Sequence, residues 1–172
     1  MNPYCVPNID EPLTRISFDT ALGLVTITAS AKGLIAINLP RRSVPKSPEP
    51  LPAGFTRLVE SFRAYFDGRK VDFPVKLDLR AATPFQVKVW QAARLIPYGE
   101  TRSYRWIAEQ IGQPEAVRAV GQALGKNPLP IIIPCHRVLA SDGALGGYSG
   151  GLEIKRTLLN LEKGIFIQSA SR

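Results

Sequence analysis

The apolar residues of this chain change their spacing near Thr83, and this change constrains the fold more than any other feature. Upstream, residues 15–39 alternate polar and apolar side chains with two turn-like breaks, the pattern of short antiparallel strands. Downstream, apolar residues recur at helical spacing. A length of 172 residues suits one ordinary domain or two small ones. We predict an α/β (α+β) protein with a sheet domain over 1–80 and a mostly helical domain over 81–172.

Three further segments complete the first half. Segment 40–54 contains five prolines, which neither donate to a sheet nor fit inside a helix, so a loop is predicted. Apolar residues then repeat every four positions and stop at Gly68, which predicts a helix; they are Leu58, Phe62 and Phe66. Segment 71–79 is predicted to be extended.

Helix signals dominate the second half. Thr83 offers an N-cap, followed by a proline in the first turn and by Gln86 at the capping-box position. Ser103 can cap a second helix that runs to Ile111. A Gly-Gln-Pro turn then leads into a helix over 115–126, and two short helices around a tight turn make a helix-turn-helix.

One face of the 115–126 helix is apolar, whereas the opposite face is flat. Val117, Val120 and Leu124 would point to the core, opposite Arg118, Gly121, Gln122 and Gly125. Glycine inside a helix costs up to about 1 kcal/mol relative to alanine. Either tight helix packing requires the glycines, or the flat face enters a DNA groove and Arg118 contacts phosphate or fills the space of an extruded base.

Charge points to an anionic partner and leaves a merely basic protein as the alternative. The chain has 22 Lys and Arg against 14 Asp and Glu, a net charge of +8. The halves 1–80 and 81–172 carry 11 − 8 = +3 and 11 − 6 = +5, so the second half is the better candidate for a polyanion surface. Apolar runs are far short of the roughly 20 residues that span a bilayer. The first ten residues lack a secretory signal, so we expect a cytoplasmic protein with cysteines kept as thiols.

The strongest chemical signal is Cys135 followed by His136, the only histidine, at the end of an apolar run. A cysteine is more often a small core residue, but imidazole is the usual helper that makes a thiol reactive near neutral pH. On extended backbone these neighbours point to opposite sides, so contact must run through a turn or a water. A Cys/His protease normally takes its histidine from elsewhere in the chain, and this chain has no second histidine, which argues against a protease. Two distant cysteines and one histidine do not supply the usual four ligands of a structural zinc site.

Two downstream features border this signal. Segment 142–151 is rich in glycine and includes Tyr148 and Ser149; it is either a flexible connector or a loop whose N–H groups reach a flat ligand. The last helix, 152–163, carries Glu162 beside its apolar stripe. A glutamate there is usually on the surface, but a buried one needs a partner, for which His136 is the natural candidate.

Taken together, these motifs resemble those of the O6-alkylguanine-DNA alkyltransferase family. The resemblance rests on Pro-Cys-His-Arg-Val at 134–138, Asn-Pro at 127–128 and Tyr-Ser-Gly-Gly at 148–151. It covers 83–164 closely and the N-terminal part loosely. It implies an N-terminal ribonuclease-H-like α/β domain and a C-terminal, mostly helical, winged-helix-like domain that contains the helix-turn-helix.

The resemblance also implies an activity, the stoichiometric transfer of an alkyl group from DNA to the protein itself. Cys135 would be the acceptor, His136 would act on it through a water, and Glu162 would orient His136. Asn127 would brace the helix-turn-helix against the active site. Tyr104 would turn the nucleotide out and donate to guanine N3.

Binding residues follow from the same resemblance. Pro130 and Tyr148 would form the pocket walls, the Ser149 N–H would meet O6, and the carbonyls of Cys135 and Val138 would bind the guanine amine. The DNA-contacting residues would be Ser103, Arg118, Ala119, Gly121 and Gln122. Gln122 is bulkier than the small residue of some members, which puts close groove contact there in question.

The expected partner is double-stranded DNA carrying O6-alkylguanine, with O4-alkylthymine as a second candidate lesion. A monomer without cofactor, metal or membrane contact is expected. Alkyltransferase-like proteins only flag such lesions and lack the acceptor cysteine, so Cys135 argues against that class. A transcriptional regulator would need a dimer interface or a sensor domain, which the sequence does not reveal.

Overall fold

The first half of the protein is a three-stranded antiparallel sheet with one helix. The computed structural model describes residues 11–39 and 54–165. The strands are β1 (Thr14–Thr20), β2 (Gly23–Ser30) and β3 (Gly33–Asn38), in the order β1-β2-β3, and the helix is α1 (Thr56–Phe66). Ile16 pairs with Ile27, and Ile27 pairs with Ile37, so the three side chains lie side by side on one face of the sheet. That face is buried and forms part of the core.

The predicted strand region and the predicted helix are confirmed, but the extended segment 71–79 forms no regular strand. Among the described residues, its backbone pairs with the sheet at one isolated parallel bridge, between Leu77 and Leu34. Pro74 cannot donate to a ladder, which limits the pairing to this short stretch. A side chain at Gly33 would lie 2.4 Å from the Lys76 carbonyl oxygen, so the close approach requires glycine. The proline-rich segment, apart from Gly54, and Cys5 lie outside the described residues.

The second half begins with α2 (Pro84–Arg94), and its predicted capping box is confirmed. Thr83 accepts from the Gln86 amide while the Gln86 side chain accepts from the Thr83 amide. The elements that follow are β4 (Arg102–Ser103), α3 (Tyr104–Gln110), α4 (Val117–Gly125), β5 (Val138–Leu139) and α5 (Leu152–Glu162). Ser103 caps α3 as predicted, since its hydroxyl accepts from the Trp106 amide.

Helix α4 starts two residues later than predicted, because the Ala116 amide first closes a turn onto the Gln113 carbonyl. Helices α3 and α4 form the helix-turn-helix. Helix α2 packs against α4, and the Trp90 indole N–H of α2 donates to the Ala123 carbonyl of α4 at 2.9 Å. The short parallel pair β4 and β5 ties the start of α3 to the segment that carries Cys135.

The two halves share one hydrophobic core. The amide of Ile37, on the outer strand of the sheet, donates to the Pro128 carbonyl at 2.8 Å, close to the candidate site. Among residues 11–39 and 54–165, no helix has the length and apolar content needed to cross a membrane.

Candidate active site and DNA-facing surface

Cys135 and His136 lie on a single buried turn of 3-10 helix, Cys135–Arg137. Extended backbone was predicted for both residues, and that prediction is wrong. The reason is local: the turn is closed by the Val138 amide, which donates to the Cys135 carbonyl. No direct hydrogen bond joins the two side chains, because His136 Nδ1 is buried and has no hydrogen-bond partner within the described residues. Contact between them through a turn or a water therefore remains a prediction.

Glu162 is the centre of a buried polar cluster. Its side chain is 1% exposed, and its Oε1 lies 2.7 Å from His136 Nε2. Arg137 makes a bidentate contact with Glu162, donating from Nε to Oε2 at 2.8 Å and from Nη2 to Oε1 at 2.9 Å. The remaining donors are the Gly99 amide and the Tyr65 hydroxyl. A buried Glu162 was expected to contact His136, and the structure contains that contact.

These contacts keep the glutamate ionised. Burial alone would raise the pKa of Glu162, but hydrogen bonds from His136 and Arg137 hold it well below its usual range. Five donors converge on two carboxylate oxygens, an arrangement that stabilises the charged form.

His136 is neutral in this environment. Burial lowers the pKa of His136, while Glu162 opposes that shift only in part. The carboxylate accepts from Nε2, which assigns the ring proton to that nitrogen and leaves a lone pair on Nδ1. The imidazole is therefore set up as a base whose free nitrogen is shielded from bulk solvent.

The Cys135 thiol rests in its protonated form. Burial raises the pKa of the Cys135 thiol, and a contact from Asn127 Nδ2 at 3.0 Å acts in the opposite direction, as does the charge of Lys155. A protonated thiol is a weak nucleophile, so reaction requires removal of its proton as the substrate is attacked.

Asn127 connects the end of α4 to the cysteine. Its amide group donates to the Ile133 carbonyl at 2.8 Å, while its oxygen accepts from the Leu129 amide at 2.9 Å. The loop that it holds contains Ile131 at φ +77°, a left-handed conformation that costs a β-branched residue roughly 1–3 kcal/mol. These contacts match a bracing role, which remains a prediction.

A hollow of about 600 Å³ lies between α4 and the glycine-rich loop, which we define as residues 142–151. Tyr104, Tyr148 and Ser149 line it together with Arg118, Gly121 and Gln122 of α4. Within the described part of the chain, a Cβ atom added at Gly125 would have no neighbour within 4 Å, and one at Gly121 would make only ordinary contact with the Tyr104 ring. Tight helix packing therefore does not explain the two glycines, which leaves the interpretation as a surface open to a partner.

Comparison with known proteins identifies the family. Residues 13–79 match the ribonuclease-like domain of 6-O-methylguanine DNA methyltransferase, and residues 84–164 match its DNA binding domain. The chain belongs to this methyltransferase family. The family resemblance and the fold class inferred from the sequence are thereby confirmed.

Individual relatives match most of the length of this chain. A methylated-DNA–protein-cysteine methyltransferase of Mycobacterium tuberculosis is 46% identical over 150 residues, which are 86% of this chain and 90% of that protein. The crystal structure of Mycobacterium tuberculosis OGT in complex with DNA is 45% identical, with a TM-score of 0.77, and the match covers 88% of this chain and 93% of that chain. The methyltransferase of the archaeon Pyrococcus kodakaraensis matches with a TM-score of 0.62 at 28% identity over 88% of this chain and 99% of that one.

Other residues that the resemblance assigned to the methyltransferase site lie as follows. On α4, Arg118, Ala119 and Gln122 are exposed, as a DNA-contacting role requires. Ser103 is partly buried and its hydroxyl caps α3. Pro130 is buried, bridges to Ile133 and is not among the residues that line the hollow.

Lys155, a completely buried lysine on α5, was not predicted from the sequence. Its Nζ donates to the Val138 carbonyl at 2.7 Å and to the Leu145 carbonyl, and it lies 5.9 Å from the centre of the Tyr104 ring and 6.0 Å from that of Tyr148. Burial lowers its pKa to about 8. The only sequence signal is spacing, since Lys155, Leu158 and Glu162 share one helix face at i, i+3 and i+7.

We expect Lys155→Met to destabilise the methyltransferase. The substitution keeps an unbranched side chain that is one atom shorter, but it leaves the Val138 and Leu145 carbonyls without the lysine donor. A buried group left unsatisfied costs about 1–3 kcal/mol. Urea unfolding measures the loss. Lys163→Met, at the exposed end of the same helix, is the matched control and should unfold like wild type. Equal stability of the Lys155 and Lys163 variants would contradict this account.

Proposed function

We propose that this protein repairs DNA by moving an alkyl group from O6-alkylguanine onto its own Cys135, after which it is spent. The observation that carries the proposal is the Cys135 thiol on one turn with His136, whose ring is held by the buried Glu162 carboxylate. The named activity of relatives, methylated-DNA–protein-cysteine methyltransferase, has the same chemistry.

The reaction needs one base and one displacement. The free Nδ1 of His136 accepts the thiol proton, directly or through a water, while Glu162 stabilises the imidazolium that forms. The sulfur lone pair of Cys135 forms the new S–C bond as the bond between the alkyl carbon and O6 breaks, and the electron pair of that bond stays on guanine. A thioether and a guanine anion result; the anion becomes guanine when it takes up a proton, and His136 loses the thiol proton to solvent. No cofactor enters these steps.

Tyr104 is the proposed proton donor to guanine N3. Burial raises the pKa of Tyr104, and the neighbouring Cys135 raises it further, so the hydroxyl keeps its proton near neutral pH. The ring lines the hollow, and its hydroxyl contacts the Gly147 carbonyl at 3.5 Å. A proton on N3 would offset the negative charge that the leaving guanine gains. Ser149, whose N–H is proposed to meet O6, and Tyr148 line the same hollow.

The carbonyls of Cys135 and Val138, which are proposed to bind the guanine amine, each already accept one hydrogen bond within the protein. The Cys135 carbonyl accepts from the Val138 amide, while the Val138 carbonyl accepts from Lys155. Each carbonyl oxygen has a second lone pair, which would bind the guanine amine.

The alkylated base must leave the duplex to reach Cys135, because an atom inside a base stack is inaccessible. Helix α4 is the proposed groove-binding element, and its small residues Ala119 and Gly121 suit a minor groove only about 6 Å wide. Arg118 would occupy the space that the flipped nucleotide leaves. The crystal structure of the relative with DNA supports DNA as the partner.

We expect Arg118→Ala to slow repair of duplex DNA by about tenfold or more while repair of the free alkylated base is nearly unchanged. Arg118 is exposed on α4 and would support extrusion of the base, which costs a few kcal/mol and is bypassed by a free base. Single-turnover rates on both substrates test this. Arg63→Ala removes an exposed arginine from α1 and controls for the loss of charge. Equal losses on both substrates would contradict the assigned role.

The function itself is tested by stoichiometry. Incubation with an excess of duplex DNA that carries labelled O6-methylguanine should transfer label up to a plateau of one methyl group per protein molecule. Continued turnover beyond that plateau would refute a self-consuming reaction.

We also propose that the protein acts as a monomer in the cytoplasm, nucleoid-associated in a prokaryote, where a reducing environment keeps Cys135 as a thiol.

A further inference from the structure

We propose that Tyr65, from the N-terminal domain, is a positioning residue for alkyl transfer that acts through Glu162 on His136. The inference rests on the proposed function and extends it to a residue outside the domain that carries Cys135. It gives the ribonuclease-like domain a part in positioning the base of the reaction.

The contact is short and buried. Tyr65 lies on α1 with 1% of its surface exposed, and its hydroxyl donates to Glu162 Oε1 at 2.6 Å. The same hydroxyl lies 3.3 Å from His136 Nε2. Oε1 is also the oxygen that contacts His136 at 2.7 Å, so the tyrosine and the histidine share one acceptor atom.

The tyrosine ring is held in place by other aromatic rings. Tyr98 and Phe66 meet it nearly edge-on, at 6.1 Å and 5.5 Å between ring centres. Burial and the neighbouring Glu162 carboxylate hold the pKa of Tyr65 well above its ordinary value, so the hydroxyl remains a donor. A group fixed in this way is not a rotating surface hydroxyl that meets Glu162 by chance.

Sharing Oε1 has an electrostatic consequence. A hydrogen bond from Tyr65 withdraws charge from the carboxylate and weakens its attraction for a proton on His136. Loss of the hydroxyl should therefore raise the proton affinity of the imidazole. Among the described residues, the charges of Arg137 and Lys155 oppose protonation of His136. Cys135 and Tyr98 are further ionisable groups beside this cluster. None of these four is removed by a change at Tyr65.

Tyr65→Phe in the full-length protein tests the proposal, because it removes one oxygen and keeps the ring. The pH profile of single-turnover methyl transfer should move to higher pH by about half to one unit, while affinity for DNA is unchanged. Tyr98→Phe is the matched control, since its hydroxyl donates to the Gly68 carbonyl and not to Glu162. Both variants lose one tyrosine hydroxyl between the same two domains, but only the first should move the profile.

A second measurement does not depend on the repair reaction. His136 is the only histidine in the chain, so its imidazole NMR signals in untagged protein are unambiguous, and its pKa should rise in Tyr65→Phe but not in Tyr98→Phe. An unmoved His136 pKa in Tyr65→Phe, or equal shifts in both variants, would overturn the proposal even if wild type transfers methyl groups normally. Wild type that transfers no methyl group at any pH would instead overturn the proposed function, and with it the role of Tyr65.

Discussion

Cys135→Ala should bind alkylated DNA almost as well as wild type and transfer no alkyl group. The thiol is the only nucleophile in the mechanism, whereas its buried side chain contributes little surface to DNA. The local structure should persist, because Asn127 keeps its bonds to Ile133 and Leu129 when the sulfur is lost. Label transfer and a DNA-binding titration on the same preparation measure the two properties.

The other cysteine of the chain provides the control. Cys5→Ala should repair DNA at the wild-type rate, since no basic residue accompanies Cys5 in its immediate sequence. Transfer that persists in Cys135→Ala, with the label on Cys5 or elsewhere, would show that the acceptor was assigned wrongly.

Glu162→Gln is expected to slow alkyl transfer by about 10²–10⁴-fold, with a smaller effect on DNA affinity. The amide removes the charge that stabilises protonated His136, so the pKa of the Cys135 thiol should rise further. It also leaves the buried Arg137 guanidinium without its anion, and breaking a buried ion pair costs about 3–5 kcal/mol. Glu162 therefore stabilises the fold as well as the base.

The dependence on pH separates these effects from a general disturbance. The pKa of Glu162 is lower in the folded protein than in the unfolded chain, so its contribution to stability is present above about pH 4.3 and disappears as the pH falls further. Glu162→Gln should lack that acid-dependent loss. Glu153→Gln, an exposed change on the same helix, should preserve both rate and stability. A wild-type rate and pH profile in Glu162→Gln would reduce Glu162 to a structural residue.

Features that depend on neighbouring residues were predictable from the sequence. The capping box at Thr83 and the alternation of the strands are local patterns, and each formed where predicted. The flat face of α4 was predictable too, although only the structure shows that Gly121 and Gly125 are not required by packing. The possibility that Glu162 contacts His136 came from the position of a charge beside an apolar stripe.

Features that depend on distant parts of the chain were not predictable. Tyr65 lies 97 positions from Glu162, and no local pattern separates its hydroxyl from those of other core tyrosines. Lys155 looks like a surface lysine until Val138 and Leu145 supply buried acceptors from two other segments. The turn at Cys135 was mistaken for extended backbone because an apolar run does not reveal where a strand ends.

Mass analysis of the reacted protein tests the central claim most directly. After incubation with duplex DNA that contains O6-methylguanine, the intact chain should gain the mass of a single CH₂ group, and peptide mapping should place it on Cys135. The DNA should then contain unmodified guanine in equal amount. An unchanged protein mass with repaired DNA, or a methyl group on any residue other than Cys135, would contradict the account.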